Sequence, residues 1–256
     1  MKLLSFILFL LLFQSPLKVF SQSQDSLHPT RFDKYYIYSG IFDAHDQAVA
    51  PFHWNTTQWL TCGTIAIVEC GMIFGGGDKN LQSYAQQHRN STTNFIEDNI
   101  GDPFGDGLYP GIIIGTSYLV GCISHNNHIK HMAMLTAKSV VISGATTFVL
   151  QALTGRHDPY EVNNPKNWSG PGNLSYDSYP SEHTTLAFST ATMIALEYPR
   201  PIIIPIAAYS LATVTALGRI NGNYHWGSDI LMGAAIGYFT SRLIFRHNNW
   251  DKCRKL

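Results

Sequence analysis

Six apolar segments, separated by polar loops, run through most of this 256-residue chain. Several are near or below the ~17 to 25 residues of a membrane-spanning helix. Those rich in Gly, Ala, Ser and Thr, such as 186–195 and 207–216, suit close helix packing in a membrane or in a buried soluble bundle. The pattern predicts an all-α fold, a bundle of about six helices that is membrane-embedded. The predicted helices cover residues 58–75, 109–124, 132–154, 184–197, 201–217 and 229–246.

Composition narrows the class of partner. Charged residues make up 13% of the chain, about half of the roughly 25% that is usual in globular proteins. The formal net charge is zero, so nothing indicates nucleic acid as a partner. The mean hydropathy of -0.03 is low for a fully embedded protein and leaves room for a soluble or half-exposed bundle. The low share of charged residues still favours a membrane as the surroundings of the bundle.

The N-terminal residues 1–21 are typical of a secretory signal: Lys2, an apolar run over 3–13, and the small residue Ser21. An uncleaved membrane anchor is the alternative, and either segment sends the chain into the export pathway. Residues 22–57, rich in Ser, Asp, His and Gln, predict an exposed N-terminal extension. It precedes one domain over 58–246 and a basic tail over 247–256.

The most informative polar segment is 218–229, which contains Arg219, His225 and Asp229 at spacings that suit phosphate chemistry. If the segment is helical, His225 and Asp229 share a face, and the carboxylate can hold one ring nitrogen while the other points outward. A second histidine, His183, follows a serine at a predicted helix start, where backbone N–H groups and the helix dipole favour an anion. The pattern predicts a phosphate pocket with His225 as nucleophile.

These residues resemble the motifs of the type 2 phosphatidic acid phosphatase and vanadium haloperoxidase superfamily. Residues 180–183 fit its P-S-x-H motif, and Arg219, His225 and Asp229 fit its R-x-x-x-x-x-H-x-x-x-D motif with every gap correct. The resemblance covers roughly residues 58–246, and the last motif is the most specific part of it. It implies a helical phosphatase that needs neither a metal ion nor a cofactor.

The resemblance also implies a role for each motif residue. His225 would attack phosphorus and form a phosphohistidine, while Asp229 would fix its tautomer and stabilise the imidazolium. His183 would protonate the leaving oxygen and then activate water. The phosphoryl oxygens would be held by Arg219, Ser181 and the backbone N–H groups near Glu182.

The first motif of the family, K-x-x-x-x-x-x-R-P, is eroded in this chain. Gln151 and Asp158 stand where the family has lysine and arginine, and only Pro159 remains. Losing two cationic contacts predicts a loss of roughly two to four powers of ten in rate. Arg156 is a candidate replacement as a phosphate ligand; the alternative is that it pairs with Asp158. Glu182, in place of the usual glycine, is a milder change because the backbone N–H remains.

Orientation follows from the basic residues of the C-terminal region. By the positive-inside rule, residues 242–255 should be cytoplasmic, so the loops with His183 and His225 should face away from the cytoplasm. A cleaved signal followed by six full spans predicts the reverse. The first apolar segment is the weakest span because Glu69 interrupts it. We therefore expect an exported inner-membrane protein with an extracytoplasmic site.

The sequence thus predicts a membrane phosphatase whose substrate is a phosphomonoester or pyrophosphate carried by a lipid. One alternative is a catalytically weakened relative that binds anionic headgroups, which the eroded first motif favours. Another is a vanadium-dependent haloperoxidase, since vanadate resembles the pentacoordinate phosphoryl group. Fewer cations should weaken permanent vanadate binding at least as much as transient phosphate binding, so this alternative ranks last.

Overall fold

The computed structural model describes residues 31–173 and 175–248, which are mainly helical. The predicted signal at 1–21 and most of the tail at 247–256 lie outside the described residues. Short turns of 3-10 helix at Ala50–His53 and of π-helix at Glu97–Gly101 connect longer helices. In chain order the α-helices are α1 Lys34–Val49, α2 Thr56–Phe74, α3 Gly77–His88, α4 Ser91–Ile96, α5 Asp102–Gly105, α6 Leu108–Ile123, α7 Asn127–Thr154, α8 Glu182–Glu197, α9 Ile203–Asn221 and α10 Gly227–Asn248.

The predicted all-α class is confirmed, and all six predicted helices are present as α2 and α6 to α10. Most of them are longer than expected. α7 begins at Asn127 because the Asn126 side chain accepts the N–H groups of His128 and Ile129 and caps the helix. α9 continues to Asn221, so that Arg219 lies in its last turn.

Part of the expected exposed extension is a helix instead. α1 lies along α7, with the Tyr36 hydroxyl donating to the carbonyl of Met134 (2.9 Å) and the Gln47 amide donating to Thr146 (2.9 Å). Its Asp43 pairs with Lys138 at 2.9 Å, and both side chains are buried. The sequence pattern did not indicate α1, because the residues of this helix that face inward are polar. Polar residues at these positions are also typical of an exposed loop.

The centre of the bundle is built from α7, α8 and α10, which approach closely through small residues. A Cβ at Gly237 of α10 would lie 2.4 Å from the Thr185 carbonyl oxygen of α8. Hydroxyl groups then pair across the three helices, with Ser139 within 2.8 Å of Ser189 and 2.7 Å of Ser241. This close packing is what the small-residue composition of 186–195 predicted.

Three of the described helices are long and apolar enough to cross a membrane, judged by length and composition: α2, α7 and α9. α6 is apolar but shorter. Glu69, which interrupts the apolar run of α2, is buried and accepts a hydrogen bond from the Tyr179 hydroxyl at 3.3 Å. Many large apolar side chains of the bundle are exposed, among them Ile112, Leu119, Val141, Phe148, Ile203 and Leu217. These features fit a membrane-associated bundle.

Candidate active site

Four helix ends meet at one end of the bundle, and the predicted site residues lie there. α7 ends at Gly155, whose φ of 55° is left-handed, and a Cβ there would lie 2.7 Å from the carbonyl oxygen of Gly170. Glycine is therefore needed for the chain to turn into the 156–181 loop. That loop leads to the start of α8, and a short turn joins the end of α9 to α10.

The turn between α9 and α10 places His225 beside Arg219. The N–H groups of Tyr224 and His225 both donate to the Arg219 carbonyl, at 3.0 and 3.3 Å. Gly222 permits this turn, since a Cβ there would lie 2.3 Å from the Tyr224 ring. α10 begins only at Gly227, so His225 and Asp229 are not on one helical face as predicted. The turn itself brings them together.

His225 is largely buried, and its Nδ1 lies 2.8 Å from the carbonyl oxygen of Ser178. A carbonyl oxygen can only accept, so Nδ1 carries the proton and Nε2 keeps its lone pair. Nδ1 is 3.8 Å from Asp229 Oδ2, too far for a direct hydrogen bond. The tautomer required of a nucleophile is therefore present. The main-chain carbonyl of Ser178 fixes it, whereas the sequence assigned this role to Asp229.

Arg156 does not occupy the position that was predicted for it. Its side chain is fully buried and donates to Asp229, to Asp78 at 2.7 Å, and to the carbonyl of Pro165 at 2.8 Å. All three of its guanidinium nitrogens have acceptors, so Arg156 is not available to a phosphate, and it pairs with neither Asp158 nor solvent. In this structure the buried carboxylates of Asp78 and Asp229 hold Arg156 away from the surface, so the side chain does not take the position of the phosphate ligand that the sequence suggested.

Asp229 is the third residue of α10 and accepts the N–H of Trp226 at 2.7 Å, as in the second half of a capping box. Its Oδ2 also accepts the Ser178 hydroxyl at 2.7 Å. Asp78, from α3, caps the same helix by accepting the N–H of Ser228 at 2.8 Å. The start of α10 is thus fixed by two buried carboxylates that share one guanidinium.

The start of α8 holds the other predicted motif. Ser181 is the N-cap residue, and its fully buried hydroxyl accepts from the Thr184 hydroxyl at 3.1 Å. In this conformation the Ser181 hydroxyl supports the helix end and is not exposed to a ligand. Glu182 reaches solvent, but its carboxyl is partly desolvated, and this desolvation together with the charge of Asp177 raises the pKa of the carboxyl. His183 follows in the first turn of α8.

His183 and Arg219 converge on Asp102, a residue that the sequence did not single out. Asp102 Oδ1 lies 3.2 Å from His183 Nε2 and accepts a hydrogen bond from Arg219 Nη1. Burial, and then the charges of Arg219 and His225, lower the pKa of His183 well below its ordinary value. A carboxylate therefore bridges the two groups that the motifs assign to the phosphate and to the leaving oxygen.

The segment that carries Asp102 packs directly on His183. A Cβ at Gly105 would lie 2.6 Å from the Cβ of His183, so only glycine allows this approach. On the other side of Arg219, the ring of Tyr224 covers the guanidinium at 4.3 Å. Residues 97–105 lie far from both motifs in sequence, and no spacing in the chain pointed to them.

The eroded first motif is also visible in the structure. Gln151 is buried and donates to the carbonyl oxygens of Asp177 and Pro180, at 2.8 and 3.0 Å. Gln151 thus holds the loop before α8 in place. Asp158 lies near His225, and burial raises the pKa of its carboxyl to about 6. Near neutral pH the Asp158 carboxyl is protonated in a fraction of the molecules, and in that form it can donate a hydrogen bond.

A metal site was not expected from the sequence. Within residues 31–173 and 175–248, no group of three or more His, Cys, Asp and Glu side chains is arranged to hold a metal ion.

Comparison with known proteins finds a family model that matches part of the chain. Residues 132–252 match the model of the PAP2 superfamily, and they include α8, α9, α10 and every motif residue discussed above. The match spans slightly less than half of the chain, and it confirms the resemblance to this superfamily that was drawn from the motifs.

Two related proteins extend the comparison. The lipid A 1-phosphatase of Porphyromonas gingivalis is 44% identical over 84 residues, an alignment that covers 30% of this chain and 19% of that protein. This chain therefore matches about a fifth of that relative's length. The first transmembrane PAP2 type phosphatidylglycerolphosphate phosphatase from Bacillus subtilis has a TM-score of 0.50 and 14% identity, over 86% of this chain and 95% of that one. At such low identity the likeness shows a shared fold alone.

Proposed function

We propose that this protein is a membrane phosphatase that hydrolyses a phosphomonoester or pyrophosphate of a lipid through a phosphohistidine at His225. The observation that carries the proposal is the hydrogen bond from His225 Nδ1 to the Ser178 carbonyl, 2.8 Å long. It leaves Nε2 as a free nucleophile near Arg219 and His183. The named relatives act on lipid phosphates, which supports the substrate class.

In the first step, the Nε2 lone pair attacks phosphorus as the bond to the leaving oxygen breaks. His183 donates a proton to that oxygen. The low pKa of His183 in the empty site leaves the ring unprotonated near neutral pH, and a bound phosphate dianion raises that pKa so that His183 can carry the proton it donates. In the second step, His183 takes a proton from water, which attacks phosphorus and breaks the bond between phosphorus and Nε2.

Arg219 is the cation that would hold the phosphoryl oxygens in this reaction. Because Asp102 already accepts from Arg219 and lies beside His183, an incoming phosphate must displace the Asp102 carboxylate. Asp158 stands where the family has arginine, and its raised pKa lowers the repulsion that a phosphate would meet there. These contacts permit the chemistry. We expect the substrate to bind weakly, because it must displace the Asp102 carboxylate from Arg219.

The same contacts favour a second candidate function, a non-catalytic relative that binds anionic headgroups. Asp102 neutralises Arg219, Arg156 is unavailable, and the first motif supplies no cation. A site of this kind would bind a phosphate without turning it over. The intact His225 with its free Nε2 argues for catalysis.

A phosphate-release assay tests the proposal. The purified protein in detergent should release inorganic phosphate from short-chain phosphatidate or from an isoprenoid pyrophosphate. The reaction should proceed in the presence of a chelator and be unchanged by added magnesium, because no step of the scheme uses a metal ion. Absence of release from both substrates, together with binding of phosphatidate vesicles, would instead support the headgroup-binding function.

We further propose that the site is extracytoplasmic in an inner membrane. α7, which is apolar enough to cross a membrane, ends at the site. α10 begins there and packs along α7, and its 22 residues span about 33 Å, close to the ~30 Å of a hydrocarbon core. It ends near α1, where His247 lies 2.8 Å from Asp43, so the C-terminal tail follows from the end of the bundle opposite the site. A cytoplasmic basic tail then places His225 outside.

Cysteine labelling tests this orientation. In a background without the native cysteines, Ser169→Cys at the site end should react with an impermeant maleimide in intact cells. Asn127→Cys, exposed at the start of α7 at the opposite end, should react only after lysis. The reverse pattern would place the site in the cytoplasm. A protein that leaves the membrane in carbonate and stays soluble without detergent would refute the membrane assignment.

A further inference from the structure

Ser178 lies outside all three motifs, but it makes three hydrogen bonds next to His225, the proposed nucleophile. It is fully buried, and its carbonyl oxygen accepts from His225 Nδ1 at 2.8 Å. Its hydroxyl lies 2.7 Å from Asp229 Oδ2 and must donate, since an ionised carboxylate only accepts. Its N–H donates to the carbonyl of Arg156 at 3.2 Å. All three polar groups of this residue are engaged.

We propose that Ser178 is a positioning residue for His225, and that Asp229 acts on the nucleophile through Ser178 and not by direct contact. The proposal rests on the proposed function of His225. Its basis is geometric: 3.8 Å separates His225 Nδ1 from Asp229 Oδ2, whereas both links through Ser178 are shorter than 3 Å. Asp229 fixes the Ser178 side chain, and the Ser178 carbonyl thereby fixes the tautomer and the aim of the ring.

The residues around Ser178 make this link rigid. Asp229 is held on its other oxygen by Arg156, which is itself held by Asp78 at 2.7 Å. Gln151 donates to the carbonyl of Asp177, the residue before Ser178, at 2.8 Å. Asp158 also approaches the Ser178 hydroxyl. The loop segment that carries the carbonyl is therefore fixed from both sides, as a main-chain group must be if it is to orient a nucleophile.

A double-mutant cycle distinguishes the indirect link from a direct one. Ser178→Ala should lower kcat roughly 10- to 100-fold, because it removes a hydrogen bond to a charged group, while KM changes little. Asp229→Asn should also lower kcat. If Asp229 acts through Ser178, the double variant should lose little more activity than the more impaired single variant. Wild-type kcat in Ser178→Ala, or a double variant in which the two losses multiply, would overturn the proposal.

Two further measurements keep the result interpretable. Ser175→Ala, an exposed serine of the same loop, should keep wild-type kcat, and thermal unfolding should show that Ser178→Ala is folded. The ring ¹⁵N signals of His225, assigned by their loss in His225→Ala, should report a proton on Nδ1 in the wild type. A proton on Nε2 instead would overturn the proposal. This NMR readout needs no turnover, so an inactive wild type would contradict the proposed function and leave the positioning role testable.

Discussion

His225→Ala should lower the rate of phosphate release by roughly 10³-fold or more, because it removes the one protein atom that forms a bond to phosphorus in the scheme. The wild-type protein, mixed with substrate carrying a radioactive phosphate and quenched rapidly in base, should retain label that acid releases. His225→Ala should retain none. The structure supports this expectation because Nδ1 is committed to the Ser178 carbonyl and Nε2 alone is left for chemistry.

A matched control is available in the same end of the molecule. His88, at the end of α3, is exposed and its Nδ1 lies 2.8 Å from the carbonyl of Tyr84 in its own helix. His88→Ala should keep wild-type release and wild-type labelling. Turnover that survives in His225→Ala would refute the covalent mechanism, and a comparable loss in His88→Ala would show that the loss reflects misfolding.

The sequence predicted most of the helices because their signals are local. Apolar runs and small-residue stripes are properties of single segments, and α2 and α6 to α10 follow them closely. α1 was missed for a reason that no local pattern reveals. Its buried Asp43 is satisfied by Lys138, a residue of another helix, so burial of this polar segment depends on a partner distant in the sequence.

The motif spacings predicted which residues form the candidate site, but not which neighbours each of them contacts. His183, Arg219 and His225 do converge at one end of the bundle, as the resemblance implied. The roles of Ser181 and Arg156 were not predictable, because both depend on which neighbour satisfies a buried polar group. Asp102 is the clearest case: it reaches Arg219 from a segment more than a hundred residues earlier in the chain. Only the folded structure brings such residues together.

Arg156 now has a structural role that gives a second large expected effect. Its guanidinium is the cation that lies between Asp78 and Asp229, and all three side chains are fully buried. Removing one partner of a buried ion pair leaves an uncompensated charge and typically costs about 3–5 kcal/mol. A phosphate ligand at the surface of a pocket would behave differently, since its loss would raise KM and leave the stability unchanged.

Arg156→Ala should therefore lower the free energy of unfolding by about 3–5 kcal/mol. In a chain of this size such a loss corresponds to a drop in Tm of roughly 10 °C, measured by thermal unfolding in detergent. Phosphate release should fall as well, because Asp229 loses the group that holds one of its oxygens. Arg89→Ala removes an exposed arginine that donates to Asn94 at 2.7 Å, and should change stability by no more than about 0.5 kcal/mol. An Arg156→Ala protein with wild-type Tm and a raised KM would show that Arg156 leaves the buried pair and binds the phosphate after all.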